Sequence, residues 1–226
     1  MASGRSLLAS KVAWAGAPLL ILSSFGAGPY EAIAYGTHPT SETLRWQNVV
    51  EHLSDGDLVF RTGRDIMSRL VLSQGHSSRF SHVGVVLKRQ SGLVVVHALP
   101  RNGPFPGGVL VESLTVFAAT DSASDIGFYR IKGVKPYSRN RVREYVLRQI
   151  GKPFDDDFLL SEDKKLYCTE LVLKALDAAE IGVTTSVPQI HVMLIAEPVV
   201  TPDYLSKSSQ LEAILPNTAV HVSAAQ

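Results

Sequence analysis

Short apolar runs separated by polar turns occupy the middle of this chain and predict a β-sheet. Runs of this kind, bounded by charged or Gly-containing turns, are typical of buried strands. A polar turn at Lys88–Gly92 joins two of the runs into a hairpin. The predicted strands are residues 56–60, 81–87, 93–97, 109–112 and 126–131.

Apolar residues at helical spacing predict helices around these strands. The expected helices are Glu42–Leu53, Arg64–Ser73, Ser138–Ile150, and one from Cys168 to near Gly182. Ser138 is the expected N-terminal cap of the third helix, and Gly151 and Gly182 are the expected stops. Short extended pieces are predicted from Pro188 onward. Helices beside consecutive hairpin strands predict an α+β fold in which an antiparallel sheet packs against helices.

The first 34 residues predict a secretory signal. Arg5 and Lys11 precede an uncharged, mostly apolar run at residues 12–26, and Ala32-Ile33-Ala34 offers a small-residue cleavage site. The run is shorter than the roughly 20 apolar residues of a spanning helix. An uncleaved membrane anchor through residues 12–26 is the alternative. We therefore expect an exported protein, periplasmic or extracellular, with membrane contact only if this segment is retained.

Length and composition place one globular domain after this segment. The chain has 226 residues, of which 45% are hydrophobic, enough for a sizeable core. The predicted organisation is a signal peptide or anchor at 1–34, a lead-in at 35–54, the domain at 55–206 and a C-terminal tail at 207–226. The net charge is only +1 and no basic stripe is present, so a nucleic-acid partner is not expected.

Cys168 is the only cysteine of the chain, and it opens the fourth predicted helix. A helix N-terminus carries partial positive charge and free N–H groups, so a thiol placed there is expected to ionise more easily and act as a nucleophile. A single cysteine in an exported protein cannot form an intramolecular disulfide. The alternative is a small, inert core residue, since free cysteines are often buried.

Two histidines upstream can lie on one face of the predicted hairpin. Side chains alternate along a strand, so the length of the turn decides the face. If Lys88–Ser91 form a four-residue loop, His82 lies opposite His97; if only Gln90 and Ser91 form the loop, the two are diagonal neighbours. An odd loop would put them on opposite faces. Gly84 between them is expected to leave room for a helix end or a substrate.

Four strings of residues together resemble the YiiX-like branch of the NlpC-type cysteine peptidases. They are Gly56–Phe60, Ser81–Val86, Gly151–Asp155 and Tyr167–Val172. The branch has a circularly permuted, papain-like fold in which the histidine strands precede the cysteine helix, the order found here. The resemblance covers roughly residues 50–205, including Thr201-Pro202-Asp203.

The resemblance implies a residue for each catalytic role. Cys168 is the expected nucleophile, His82 the general base and His97 the residue that orients the base. Phe154, Tyr167 and Thr169 are the expected substrate-side residues. Phe154 departs from the tyrosine that the family often has, so the backbone N–H groups of Cys168 and Thr169 are the expected oxyanion donors. Tyr167 is an alternative donor, or only a packing residue.

Together with the predicted export signal, the site residues predict an exported cysteine hydrolase that cleaves amide bonds, and the resemblance implies cell-wall peptidoglycan peptides as the first expected substrate. Three alternatives remain: a lipid amidase or acyltransferase of the same fold, a non-catalytic binding module, and a structural domain with an inert cysteine. No cofactor is expected. A zinc site made of His76, His82, His97 and Cys168 is disfavoured, because metal would mask the thiolate and no tight ligand spacing is present.

Overall fold

The structure is a computed structural model that describes residues 41–64, 73, 78–183, 188–191 and 195–214. All of them fall in one compact unit, Pro39–Gln226. The predicted signal or anchor and most of the helix predicted at Arg64–Ser73 lie outside the described residues. No helix in the described part of the chain is both long and apolar enough to cross a bilayer.

Six antiparallel strands form the sheet, as the α+β prediction requires. Their order across the sheet is β4-β3-β2-β1-β5-β6. The strands are β1 Leu58–Gly63, β2 His82–Arg89, β3 Gly92–Leu99, β4 Gly108–Ser113, β5 Ala123–Ile131 and β6 Leu211–Ala213. Strand β6 pairs with β5, so the sheet continues past residue 206 into the segment assigned above to the tail.

Five helices accompany the sheet in the described part of the chain. They are α1 Ser41–His52, α2 Leu114–Phe117, α3 Pro136–Gln149, α4 Cys168–Ala178 and α5 Pro202–Ser206. The prediction that Ser138 caps α3 is wrong, because Lys135 holds the cap position and Pro136, whose fixed φ suits a first turn, opens the helix. Helix α4 ends before Gly182, since Glu180 adopts a left-handed φ of 59°. Helix α5 was predicted as extended chain.

The sheet separates two apolar layers. Alternate residues of β2, including Val83, Val85 and Leu87, pack with α3 and α4 in one layer. The other residues of β2, such as Val86, face a second layer that contains α1 and Phe117. Because both faces of the sheet are covered, residues on either face are apolar, which explains the nearly continuous apolar runs in the sequence of the strands.

Candidate active site

Cys168 is the first residue of α4, and the start of this helix is firmly held. Tyr167 occupies the cap position, and its backbone N–H donates to Glu170 Oε2 at 3.1 Å. Apolar side chains such as Leu171 and Val172 bury the helix against β2 and β3. The cysteine is therefore fixed in position at the point where the free N–H groups of the helix begin.

The Cys168 sulfur lies against the beginning of β2. Its hydrogen bonds involve the Thr169 hydroxyl, with 3.8 Å between Sγ and Oγ1, and the backbone N–H groups of Val83, Thr169 and Cys168 itself. Val83 directly follows His82 in the chain. The thiol thus lies at the strand end that carries the first histidine, but in the layer of α4, whereas the imidazole of His82 stacks on Phe117 in the other layer. No described hydrogen bond joins the sulfur to this imidazole.

Burial dominates the acidity of this thiol. It raises the pKa of Cys168 above the ordinary value of 9.0, although the hydrogen bonds from Thr169 and Val83 act in the opposite direction. The expectation that a helix start makes the thiol ionise easily is therefore wrong for this arrangement. Desolvation disfavours the charged form, and here it outweighs the N–H donors. The resting residue is a thiol at neutral pH.

The two histidines lie on one face of the sheet, as predicted for a turn with an even number of residues. Arg89 pairs with Gly92, so the turn consists of Gln90 and Ser91. Continuing this register places Gly84 opposite His97, and makes His82 a diagonal neighbour of His97. Gly84 does not leave room for a substrate, however. A Cβ there would collide with the Val95 side chain and would lie 3.0 Å from the Cβ of His97, so these two side chains occupy the space.

A direct hydrogen bond joins the two imidazoles. His82 Nε2 and His97 Nδ1 are 2.8 Å apart, and both residues are buried. Burial lowers the pKa of His82 well below 6.5, and the nearby Arg61 and His97 add to this effect. Burial also lowers the pKa of His97, while its approach to Glu112 raises it. Both rings are therefore neutral at pH 7, which is the form a general base requires.

The histidines belong to a polar row that crosses four neighbouring strands. Arg61 of β1 pairs directly with His82, and Glu112 of β4 is the diagonal neighbour of His97. Glu112 Oε2 lies 3.5 Å from His97 Nε2 and 4.0 Å from Arg61 Nη1. Sequence reasoning missed both ends of this row. Strand alternation gives a signal for Glu112, but the pairing partner of β4 had to be known first.

Phe117 of α2 covers the polar row. Its ring stacks on His82 with centroids 5.7 Å apart and meets His97 edge-on at 5.1 Å. Arg61 lies over the same ring and donates from Nη1 to the Phe117 carbonyl at 3.0 Å. The imidazoles therefore sit in an apolar, water-poor environment, which accounts for their lowered pKa values.

The three predicted substrate-side residues are all buried. Phe154 and Tyr167 belong to the main core, where Phe158 packs against both rings. Burial also raises the pKa of the Tyr167 hydroxyl, so this group stays protonated. Thr169 is fully buried next to the sulfur. Burial favours the packing role for Tyr167, and the Thr169 hydroxyl is the one of the three groups that forms a described hydrogen bond with the thiol.

The fold and the site together define a class of protein. A six-stranded antiparallel sheet whose histidine strands precede a helix opened by cysteine is a permuted papain-like arrangement. Over residues 52–221 the chain matches the family described as permuted papain-like amidase enzyme, YaeF/YiiX, C92 family. The chain belongs to this family, which confirms the predicted resemblance and fold.

Two relatives from Escherichia coli illustrate the family. The chain is 26% identical over 125 residues to the uncharacterized protein YiiX of strain K12, and the match spans 55% of this chain and 57% of that protein. The chain thus matches little more than half the length of this relative. The crystal structure of metalloprotein yiiX from strain O157:H7 shares the fold with a TM-score of 0.60 at 20% identity, covering 73% of this chain and 97% of that one.

Proposed function

We propose that this protein is a thiol amidase in which Cys168 is the nucleophile, His82 the general base and His97 the residue that orients the base. The observation that carries the proposal is the 2.8 Å bond between His82 Nε2 and His97 Nδ1, at a strand end where the next residue, Val83, bonds the cysteine sulfur. A nucleophile, a base that can reach it and a group that orients the base are a common arrangement for covalent catalysis by a thiol.

The electrostatics favour a neutral thiol–imidazole pair over a preformed ion pair. Cys168 has a raised pKa and His82 a lowered one, so neither is charged at rest. The proton moves as the sulfur attacks: the S–H bond breaks, the proton goes to His82, and the new S–C bond pushes the carbonyl electrons onto oxygen. Backbone N–H groups of Cys168 and Thr169, free at the helix start, are the proposed donors to that oxygen.

Breakdown of this intermediate completes acylation. The C–N bond breaks, the leaving amine takes the proton from His82, and a thioester remains on Cys168. A water molecule then adds to the thioester, giving its proton to His82. Collapse releases the carboxylic acid and returns the proton to the thiol. His82 therefore acts once as base and once as acid in each half-reaction.

No step of this mechanism involves a metal ion. The Escherichia coli relative of known structure is described as a metalloprotein. His76, a member of the zinc set considered above, lies outside the described residues. Among the residues that are described, no group of three or more His, Cys, Asp or Glu side chains converges as metal ligands do. The nitrogens His82 Nε2 and His97 Nδ1 point at each other, so a shared proton fits between them better than an ion.

We further propose that the substrate is a peptide amide outside the cytoplasm, in peptidoglycan. The support is the basic start, the apolar run at 12–26 and Ala32-Ile33-Ala34, which are typical of an export signal. N-terminal sequencing of the exported protein should begin at Tyr35, within a few residues. An intact Met1 would indicate an anchored form and favour a lipid substrate instead.

The decisive experiment compares the wild-type protein with Cys168→Ala on soluble peptidoglycan fragments and on lipid extracts. Wild-type protein should release free amino groups from the peptides, and the variant should release none. Its thermal midpoint should fall by roughly 2–4 °C at most, because loss of one sulfur costs about 1 kcal/mol or less in a protein of this size. Deacylation of lipids alone would reverse the choice of substrate. Retained activity in a strongly destabilised variant would make Cys168 a core residue.

A further inference from the structure

Glu112 ends the polar row next to His97. Its Oε2 atom lies 3.5 Å from His97 Nε2. Among the described residues neither of these two buried atoms makes a hydrogen bond, so each has a free donor or acceptor position that the other can fill. The nearest further charge is Arg61 Nη1, 4.0 Å from the same carboxylate oxygen. The carboxylate is half-buried, with 22% of its side chain exposed, and thus only partly screened by water.

Two neutral imidazoles that share one hydrogen bond can be arranged in two ways. In the first, His97 donates from Nε2 to Glu112, and its bare Nδ1 accepts from His82 Nε2–H, which leaves His82 Nδ1 bare. In the second, His97 Nδ1–H donates to His82 Nε2, so His82 carries its proton on Nδ1, and the lone pair of His97 Nε2 faces the carboxylate of Glu112. Only the first leaves His82 with a nitrogen that can accept a proton.

We propose that Glu112 is a positioning residue that selects the first arrangement. A lone pair opposed to a carboxylate at 3.5 Å is repulsive, whereas an N–H directed at it is attractive. The selection passes from Glu112 through His97 to His82 and leaves His82 Nδ1 as the basic atom. The inference rests on the proposed role of His82 as general base, and it adds a residue that touches neither the thiol nor the substrate.

The same carboxylate supports the charged state that forms during the reaction. When His82 takes the thiol proton from Cys168 on Nδ1, its Nε2–H still donates to His97 and His97 still donates to Glu112. Glu112 raises the pKa of His97, whereas Arg61 lowers the pKa of both imidazoles. The carboxylate should therefore support, through His97, the positive charge that develops on His82. Loss of Glu112 should therefore make His82 a weaker base and should also allow His82 to adopt the tautomer protonated on Nδ1.

The test is to record the ¹⁵N chemical shifts of the imidazole nitrogens in the purified protein, which report directly which nitrogen carries the proton. In the wild-type protein, His82 should be protonated on Nε2 and bare on Nδ1. In Glu112→Gln the amide can donate to His97 Nε2, so the Nδ1-protonated form of His82 should become a major population. Glu112→Asp, which keeps the charge, should hold the wild-type tautomer. Glu144→Gln, which alters an exposed carboxylate of α3, should change nothing.

Kinetics on the amide substrate provide the second measurement. Glu112→Gln should lower kcat roughly 10–100-fold with KM unchanged, the range typical of an orienting partner, and Glu112→Asp should restore most of the rate. His82 protonated on Nδ1 in the wild-type protein, a result that needs no variant to fold, would overturn the inference. The same His82 tautomer in the wild-type protein and in Glu112→Gln would also overturn the inference. The inferred tautomers without Cys168-dependent amide hydrolysis would overturn the proposed function and leave the tautomer control standing.

Discussion

The ring of Phe117 stacks on the imidazole of His82, with an angle of 29° between their planes and 5.7 Å between their centroids. This contact excludes water from one side of the proposed base. Since burial is the largest cause of the lowered pKa of His82, the aromatic cover helps to keep the base neutral below pH 6.5. The stacked ring thus contributes to the chemistry of the site as well as to its packing.

Phe117→Leu should raise the pKa of His82 toward 6.5, because a smaller side chain admits water and lowers the desolvation of the imidazolium form. The NMR titration midpoint of His82 should move up, and the acid limb of the activity profile should move to higher pH with it. Phe158→Leu is the matched control, because Phe158 packs on Phe154 and Tyr167 in the main core. Equal midpoints in wild type and Phe117→Leu would contradict the role given to the ring.

The pH profile of thiol alkylation should follow the raised pKa of Cys168. The rate in the native protein should remain low at pH 7 and reach its midpoint at a higher pH than in an ordinary thiol, because the desolvated thiol of this half-buried residue resists ionisation. Unfolding the protein in urea should bring the profile back to that of an ordinary thiol, near pH 8.5. Rapid alkylation of native protein below pH 7 would show a thiolate–imidazolium pair at rest and would refute the neutral pair proposed here.

Gly84→Ala should displace Val95 and, with it, the neighbouring His97. The added Cβ would lie 3.0 Å from the Cβ of His97 and 3.1 Å from the Val96 carbonyl oxygen, and closer still to the Val95 side chain. We expect a loss of about 1–3 kcal/mol in the free energy of unfolding, measured in urea, and loss of the hydrogen bond between the imidazoles, measured by NMR. Gly182→Ala, where a Cβ meets nothing within 4 Å, is the control. An unchanged imidazole pair would show that the sheet yields there.

Glu170 should make the stability of the protein depend on pH near neutrality. Burial raises the pKa of this carboxyl group from 4.5 to about 7, although Lys174, at 2.8 Å, acts against the shift. The folded state therefore holds the proton more tightly than the unfolded chain does. Its contribution to stability is complete below pH 4.5 and is lost as the pH rises through about 7.

The measurement is the free energy of unfolding between pH 5 and 8 in wild type and Glu170→Gln. The decline in stability over this window should be smaller in the variant, which has no proton to lose at this position. Glu144→Gln, at an exposed position of α3, should leave the slope as it is. Parallel curves for wild type and Glu170→Gln would mean that the ion pair with Lys174 keeps Glu170 charged throughout.

Local patterns were sufficient for the hairpin that carries the histidines. The alternation of side chains and an even turn put His82 and His97 on one face, and the structure confirms the two-residue version of that turn. The positions of Arg61 and Glu112 could not be derived in the same way. Each lies on a strand joined to the hairpin by a longer connection, whose register depends on tertiary packing rather than on a short turn.

The acidity of Cys168 shows a second limit of sequence reasoning. A helix start can be located from the sequence, and its dipole predicts an easily ionised thiol. Desolvation depends on how closely other parts of the chain enclose the sulfur, and this is a property of the folded molecule. Here the enclosure outweighs the dipole and the N–H donors, so the predicted direction of the pKa shift is reversed.

The length of the turn formed by Gln90 and Ser91 determines that His82 and His97 lie on the same face of the sheet, although both turn residues are exposed and distant from the imidazoles in the hairpin. Replacing either side chain leaves the number of residues in the turn unchanged, so the two imidazoles stay on one face of the sheet. Adding or removing a single residue changes the parity of the hairpin, so the sheet must either form a bulge or turn His97 away from His82. Members of this family should therefore differ in the residue types of this turn but keep its length.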